Sequence, residues 1–307
     1  MKKCSIMMCA ITAAAAAFAV NIPDYTTLIA HRGESIDAPE NTLPAFKTAV
    51  ERGFGFECDI YLSKDGRVFT FHDRDLKRTT GGANTNRCCD VTWDEVSRLD
   101  VGNWGKWKGS KFAGTRPALL EEVLALARDG RKIYVEIKTG PEIVPYVKKV
   151  FDAQKNATPE NALFISFNQE SCKAVKEAMP EYKVYWLVSS KVPPLDRNGN
   201  VIPGGKWRAI TPEDVIKVLK DTGADGVDIN FNREIITKEF VDKVKGAGFE
   251  FHVWTIDDLG AAVVAFTRGA DTVTTNRALE MRNDFNEVVK IAKIGRASCR
   301  ERVCLSV

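Results

Sequence analysis

The chain has 307 residues, 44% hydrophobic and 28% charged, the proportions of an ordinary globular protein long enough for one large domain. Its formal excess of three positive charges resides in its ends: residues 1–19 carry two lysines and 294–307 three arginines against one glutamate, and without them 39 basic residues face 40 acidic ones. That balance removes net charge as a signal for a nucleic-acid or anionic-membrane partner, and none is expected.

In chain order, Lys2 and Lys3 precede an apolar stretch over 6–20 that ends near Ala17-Phe18-Ala19, a small-x-small cleavage pattern. The stretch is too short and alanine-rich for a stable membrane span. It predicts a signal peptide over 1–19 and an exported protein, periplasmic or secreted. Met8 before Cys9 is a poor fit to a lipid-attachment site. Short β-branched and aromatic runs then alternate with helical patterns, at 27–30, 56–62, 133–138, 163–167, 184–188, 226–230, 249–256 and 271–275. Helix-start signals include Asn41 before the first helical pattern and Thr211-Pro212-Glu213-Asp214 before a later one. Gly53, Gly130, Gly223, Gly246 and Gly269 fall where left-handed helix ends are wanted. Eight strands with intervening helices predict a (β/α)8 barrel over 20–293, ahead of an open doubly wound sheet.

Two segments depart from the repeat. Asp65-Gly66 predicts a hairpin over 65–73. Residues 75–117 are polar and contain Trp93, Trp104 and Trp107, which predicts an insertion after the second strand, over one barrel mouth. Residues 193–207, rich in Pro, Gly and Asn, predict a long loop after the fifth strand. After 293 the pattern breaks, and 294–307 reads as a non-native tail. Of eight cysteines, Cys58, Cys88, Cys89 and Cys172 fall in the barrel segment. Their spacing lacks the paired blocks of a zinc site and predicts buried thiols, with one bridge at most, involving Cys88 or Cys89.

The chemistry concentrates in a few clusters. Only three histidines exist, and two of them, His31 and His72, lie in His31-Arg32-Gly33 and His72-Asp73. Strand alternation puts Glu57 and Asp59 on one face and Phe56, Cys58 and Ile60 on the other. On the next strand Tyr134, Glu136 and Lys138 face the barrel interior. Three inward carboxylates on adjacent strands repel unless a cation or protons compensate them, and an all-oxygen set favours calcium or magnesium over zinc. Lys138 either neutralises Glu136 or binds phosphate. Asp73 either orients the His72 ring or caps the following turn. His252 reads as a satisfied structural imidazole.

His31-Arg32-Gly33, Pro39-Glu40-Asn41-Thr42, Glu57-x-Asp59, Lys64-Asp65-Gly66, His72-Asp73 and Glu136-x-Lys138 stand in an order and spacing that resemble the glycerophosphodiester phosphodiesterase family, over about residues 26–285. The resemblance implies a TIM barrel with a segment inserted after its second strand. It implies hydrolysis of deacylated phospholipids to glycerol 3-phosphate and an alcohol, with a small-molecule diester as the partner. It assigns one divalent cation, Ca2+ or Mg2+, to Glu57, Asp59 and Glu136. It gives His31 and His72 acid–base roles, with His31 as base and His72 as acid or the reverse, and Arg32 and Lys138 the phosphate oxygens. Trp254 matches a pocket-lining residue of the seventh strand, and Asn276 replaces the family's frequent aspartate. Glu40 and Asn41 are expected to fix the first loop and cap the following helix. Two other readings remain: a phospholipase of the same superfamily, using the tryptophans at 93, 104 and 107 as an apolar lip, and a binding module that has lost catalysis.

Overall fold

The computed structural model describes residues 27–128, 130–194 and 201–304, with side chains described up to residue 291. The predicted signal peptide over 1–19 lies outside the described residues. Eight parallel strands follow the predicted runs closely: β1 (Leu28–Ala30), β2 (Gly55–Leu62), β3 (Ile133–Ile137), β4 (Ala162–Ser166), β5 (Val184–Val188), β6 (Gly226–Asn230), β7 (Glu250–Trp254) and β8 (Thr272–Thr275). Each pairs with the next, and β1 pairs with both β2 and β8, so the sheet closes on itself. This is a TIM barrel.

The period of two explains its two hydrophobic layers. Phe56, Cys58, Ile60, Ile133, Val135 and Ile137 point outward and pack under the helices. Ile29, Tyr134, Leu163, Ile165, Tyr185 and Leu187 fill the barrel's centre, with Trp254 against them. The helices around the barrel are α1 (Leu43–Glu51), α2 (Leu120–Leu124), α3 (Val144–Ala153), α4 (Gln169–Ala178), α5 (Pro212–Thr222), α6 (Lys238–Gly246), α7 (Leu259–Arg268) and α8 (Ala278–Cys304). α5 starts where Thr211-Pro212-Glu213-Asp214 predicted a helix, and there Thr211 and Asp214 form a capping box that satisfies first-turn amides. Gly223 and Gly269 end α5 and α7 in the left-handed region. At the end of α6 that conformation falls to Gly248, φ 93°, because Gly246 is still the last helical residue. The segment 294–304 continues α8; its side chains, and all of 305–307, lie outside what is described.

The hairpin at Asp65-Gly66 folds Val68–Thr70 back onto β2 in antiparallel register. The insertion that follows has its own small core, in which Phe69, Phe71, Leu76, Cys88, Val91, Val96 and Val101 pack with Trp93. The three tryptophans that the phospholipase alternative would need as a lip are not among the residues lining the cavity at the barrel mouth. Trp93 packs on Phe69, Trp104 stacks under the Arg78 guanidinium, and Trp107 meets Phe112 edge-on. No disulfide forms at Cys88 or Cys89: the Cys88 thiol is buried in the insertion's core and donates to the Asp73 carbonyl at 3.3 Å. After β5, Lys191–Val192 and Arg208–Ala209 pair as a short antiparallel ribbon that brackets the predicted loop at 193–207. Among the described residues no helix is long and apolar enough to cross a membrane.

Candidate active site

The carboxyl ends of the strands converge on one cavity of about 280 Å³. One arc of its wall is charged: His31, Arg32, Glu57, His72, Glu136 and Lys138. The opposite arc is mainly apolar, with Ile165, Phe167, Leu187 and Trp254 beside Asp228. Every residue singled out for the site in the sequence except Asp59 lines this cavity, and Asp59 lies directly behind it, fully buried.

The strand register creates the acidic cluster. Asp59 on β2 lies opposite Glu136 on β3, with Glu57 one inward step below Asp59. Carboxylate oxygens of Glu57, Asp59 and Glu136 all come within 4.8 Å of one another. Lys138, at the end of β3, places its Nζ 2.8 Å from Glu136 and 3.2 Å from Asp59. One ammonium for three buried acids leaves the cluster short of positive charge, and the carboxyl groups divide accordingly. Burial pushes Asp59 upward, but Lys138 and Arg32 outweigh it and hold the group at about 2. Burial and then the Asp59 charge raise Glu136 to about 8, and burial with Asp59 and Glu136 raises Glu57 well above the carboxylate range. Glu57 Oε1 is buried with no hydrogen-bond partner among the described residues. An orphaned oxygen, hard ligands and unmet negative charge are what a hard divalent cation satisfies, so these residues fit such an ion.

The loop after β1 is bent to deliver its residues. Arg32 and Asn41 both adopt left-handed backbone conformations, at φ 57° and 56°, which non-glycine residues rarely take. Gly33 between them has no alternative, because a Cβ there would lie 2.6 Å from the Ala45 carbonyl carbon. The Arg32 amide donates to Glu57 Oε2 at 2.8 Å, while its guanidinium reaches Glu40 at 2.9 Å and Asp59 at 3.6 Å. Asn41 does not cap α1. Thr42 is the N-cap residue, and Asn41 is drawn inward: its Nδ2 donates to Asp59 Oδ2 at 2.7 Å and its Oδ1 accepts from the Asp59 amide at 3.0 Å.

The two imidazoles are held differently. His31 Nδ1 lies 2.7 Å from Asn276 Oδ1. The orientation of that amide is fixed because Asn276 Nδ2 donates to Asp257 at 2.8 Å, so the Asn276 oxygen faces His31 and Nδ1 carries the proton. Nε2 is left without a hydrogen, 3.9 Å from Glu57. Burial, then the nearby Arg32 charge, lowers the ring's pKa to about 4. His72 Nδ1 pairs with Asp73 at 2.8 Å, so Asp73 orients the ring. Burial lowers the His72 pKa, with the charges of Arg32 and Lys138 acting the same way and Asp59 opposing them.

Residues that sequence reasoning passed over complete the frame. Arg78, from the insertion, grips Asp73 through Nε and Nη2 at 2.7 and 2.9 Å, and Glu40 through Nη1 and Nη2 at 2.9 and 2.6 Å. One guanidinium thus ties the carboxylate that orients His72 to the carboxylate that holds Arg32. Asp228 on β6 sits in the cavity wall. Its inward position follows from alternation along 226–230 and was legible. His252 is, as expected, a buried structural ring, bonded to Thr272 at 2.7 Å and stacked on Tyr185.

The sequence pattern of the glycerophosphoryl diester phosphodiesterase family matches residues 31–280. The chain belongs to this family. Among curated relatives, a glycerophosphodiester phosphodiesterase of Caldanaerobacter subterraneus subsp. tengcongensis is 40% identical over 163 residues, 52% of this chain and 65% of the relative. One from Bacillus subtilis is 29% identical over 183 residues, 55% of this chain and 61% of the relative. The chain therefore spans just under two thirds of the length of these two family members. Among solved structures, an Oleispira antarctica phosphodiesterase in complex with the product sn-glycerol-3-phosphate superposes with a TM-score of 0.69 at 25% identity, covering 85% of this chain and 96% of that one.

Proposed function

We propose that this chain is a divalent-cation-dependent phosphodiesterase that cleaves glycerophosphodiesters to sn-glycerol 3-phosphate and an alcohol. One observation carries the reading: three buried carboxylates, two imidazoles and two fixed cations meet around one cavity, a combination that a packed core has no use for. The names of the relatives and the product bound to the Oleispira antarctica enzyme agree with it.

Glu57, Asp59 and Glu136 would hold the ion, Ca2+ or Mg2+, which when bound supplies charge neutralisation and polarises a phosphoryl oxygen. Arg32 and Lys138 lie at the rim of the acidic cluster and bind the remaining anionic oxygens of the diester. His31 keeps an unprotonated Nε2 toward the cavity near neutral pH, which suits it to take the proton of the attacking hydroxyl. His72 has a carboxylate behind its Nδ1 that stabilises a proton on the ring, which suits it to protonate the departing alkoxide as the P–O bond breaks. Trp254 and the apolar arc receive the organic part of the substrate.

The test is release of sn-glycerol 3-phosphate from glycerophosphocholine, glycerophosphoethanolamine and glycerophosphoinositol, with Ca2+ or Mg2+ and with chelator. Release with either ion and loss on chelation are expected. Full activity in chelator would refute the cation assignment, and no release from any diester would refute the reading. Glu57→Gln and His72→Ala should each lower turnover by about 10³-fold or more with the circular dichroism spectrum retained. The N-terminal Lys2-Lys3 and apolar run support export; recovery of the expressed protein in the cytoplasmic fraction would refute it.

A further inference from the structure

Asp228 is 1% exposed, yet it lines the cavity, and its Oδ1 has no hydrogen-bond partner among the described residues. It stands on β6 in register with Leu187 and His252, and the Trp254 indole donates to its backbone carbonyl at 3.0 Å. The indole thus braces the strand and leaves the carboxyl group unclaimed. Around it the wall is Ile165, Leu187 and Trp254, and among the described residues no lysine or arginine joins this arc of the cavity. Leaving such a group unpaired is unfavourable, so its position calls for a partner that arrives with the substrate.

We infer that Asp228 is a specificity-determining residue whose carboxyl group hydrogen-bonds a hydroxyl on the organic arm of the substrate. The inference rests on the diester reading above, and it extends that reading to the end of the substrate remote from the phosphate. Burial, with Glu136 nearby, raises the Asp228 pKa well above the carboxylate range. A carboxyl group accepts a hydrogen bond from a hydroxyl whichever protonation state it holds. An ammonium only donates and would require an ionised Asp228 with no other cation beside it. The apolar neighbours suit a short carbon skeleton. A site built this way discriminates by leaving its polar group unsatisfied when a substrate lacks the hydroxyl.

The experiment compares wild type, Asp228→Asn and Asp228→Ala on two neutral-headed diesters that differ only in glycerol's free hydroxyls: glycerophosphoethanol and ethyl propyl phosphate. Asp228→Ala should lower kcat/KM for glycerophosphoethanol about 100-fold and change it less than threefold for ethyl propyl phosphate. Asp228→Asn, which still donates and accepts, should lose about tenfold or less. Calorimetric titration with sn-glycerol 3-phosphate and propyl phosphate gives a readout that needs no turnover, and only the first should weaken. Equal losses on both diesters, or no loss on either, would overturn the inference. So would a loss confined to glycerophosphoethanolamine when compared with glycerophosphoethanol, since that pattern marks an ammonium partner. If wild type cleaves no diester, the diester reading fails while the titrations still decide the role of Asp228.

Discussion

Replacing Asn41 tests whether the acidic cluster is built by the loop after β1 or merely flanked by it. Asn41→Ala removes a 2.7 Å hydrogen bond to a fully buried carboxylate and leaves the Asp59 amide without its 3.0 Å acceptor. A hydrogen bond to a charged group contributes about 1.5–3 kcal/mol, and an orphaned buried donor costs about 1–3 kcal/mol. Alanine at φ 56° adds about 1 kcal/mol that asparagine largely escapes. Allowing for partial relaxation, the loss should be about 4 kcal/mol, or roughly 8–16 °C in melting temperature for a domain of this size. Asn41→Gly loses the same bonds but tolerates the backbone, so it should melt a few degrees above Asn41→Ala. Thermal unfolding by circular dichroism, in chelator, measures both. A loss below about 1 kcal/mol would show that Asn41 does not hold Asp59, and an alanine variant more stable than the glycine variant would refute the backbone-strain contribution.

Cation affinity should rise with pH. Without the ion Glu136 is raised to about 8 and Glu57 is raised in the same direction by burial and its acidic neighbours, so at pH 6 the proton on Glu136 competes with the cation. Calorimetry with Mg2+ or Ca2+ should therefore show tighter binding at pH 8.5 than at pH 6, with proton release at the lower pH; the opposite trend would contradict the charge argument. His31 pulls cation-free stability in a defined direction: its folded pKa of about 4 lies below the ordinary 6.5, so the unfolded chain binds more protons between those values. Its contribution is intact above about pH 6.5 and lost as pH falls toward 4, measurable as a falling urea midpoint in chelator. Arg78→Met should cost little stability, about 1 kcal/mol for a partly exposed pair of forks, but lower kcat about tenfold or more by releasing Asp73 and Glu40 together. Arg78→Lys, which keeps the charge without the fork, should restore little of that rate; full restoration would reduce the role of Arg78 to charge.

Strands and acids were legible because alternation is a local property. Glu57, Asp59 and Glu136 could be assigned to the interior from a few residues on either side, and the β2–β3 register then brought them together. The framework around them was not legible. Asn41 bonds a residue 18 positions away, Arg78 bonds one 38 away, and Asn276 meets His31 across 245 positions. Those contacts depend on how the loops after β1, β2 and β8 fold over the barrel mouth, which no local pattern specifies. Asn41 was misread as a helix cap for the same reason, since an asparagine near a helix start has a ready local explanation. Trp93, Trp104 and Trp107 bear on the alternative phospholipase reading, which needed them as a lip; composition cannot tell an aromatic that seals an insertion from one that faces a ligand, and Trp93 packs in the insertion's own core.

The cavity's split into a charged side and an apolar side has an evolutionary consequence. Glu136 lies in register with Ile165, so exchanges at Ile165 should disturb the ion site, whereas exchanges at Leu187 or Phe167 should act more nearly independently of the reaction centre. A lineage built on this frame can therefore drift toward new alcohols by altering one half of the bowl while the hydrolytic half stays intact.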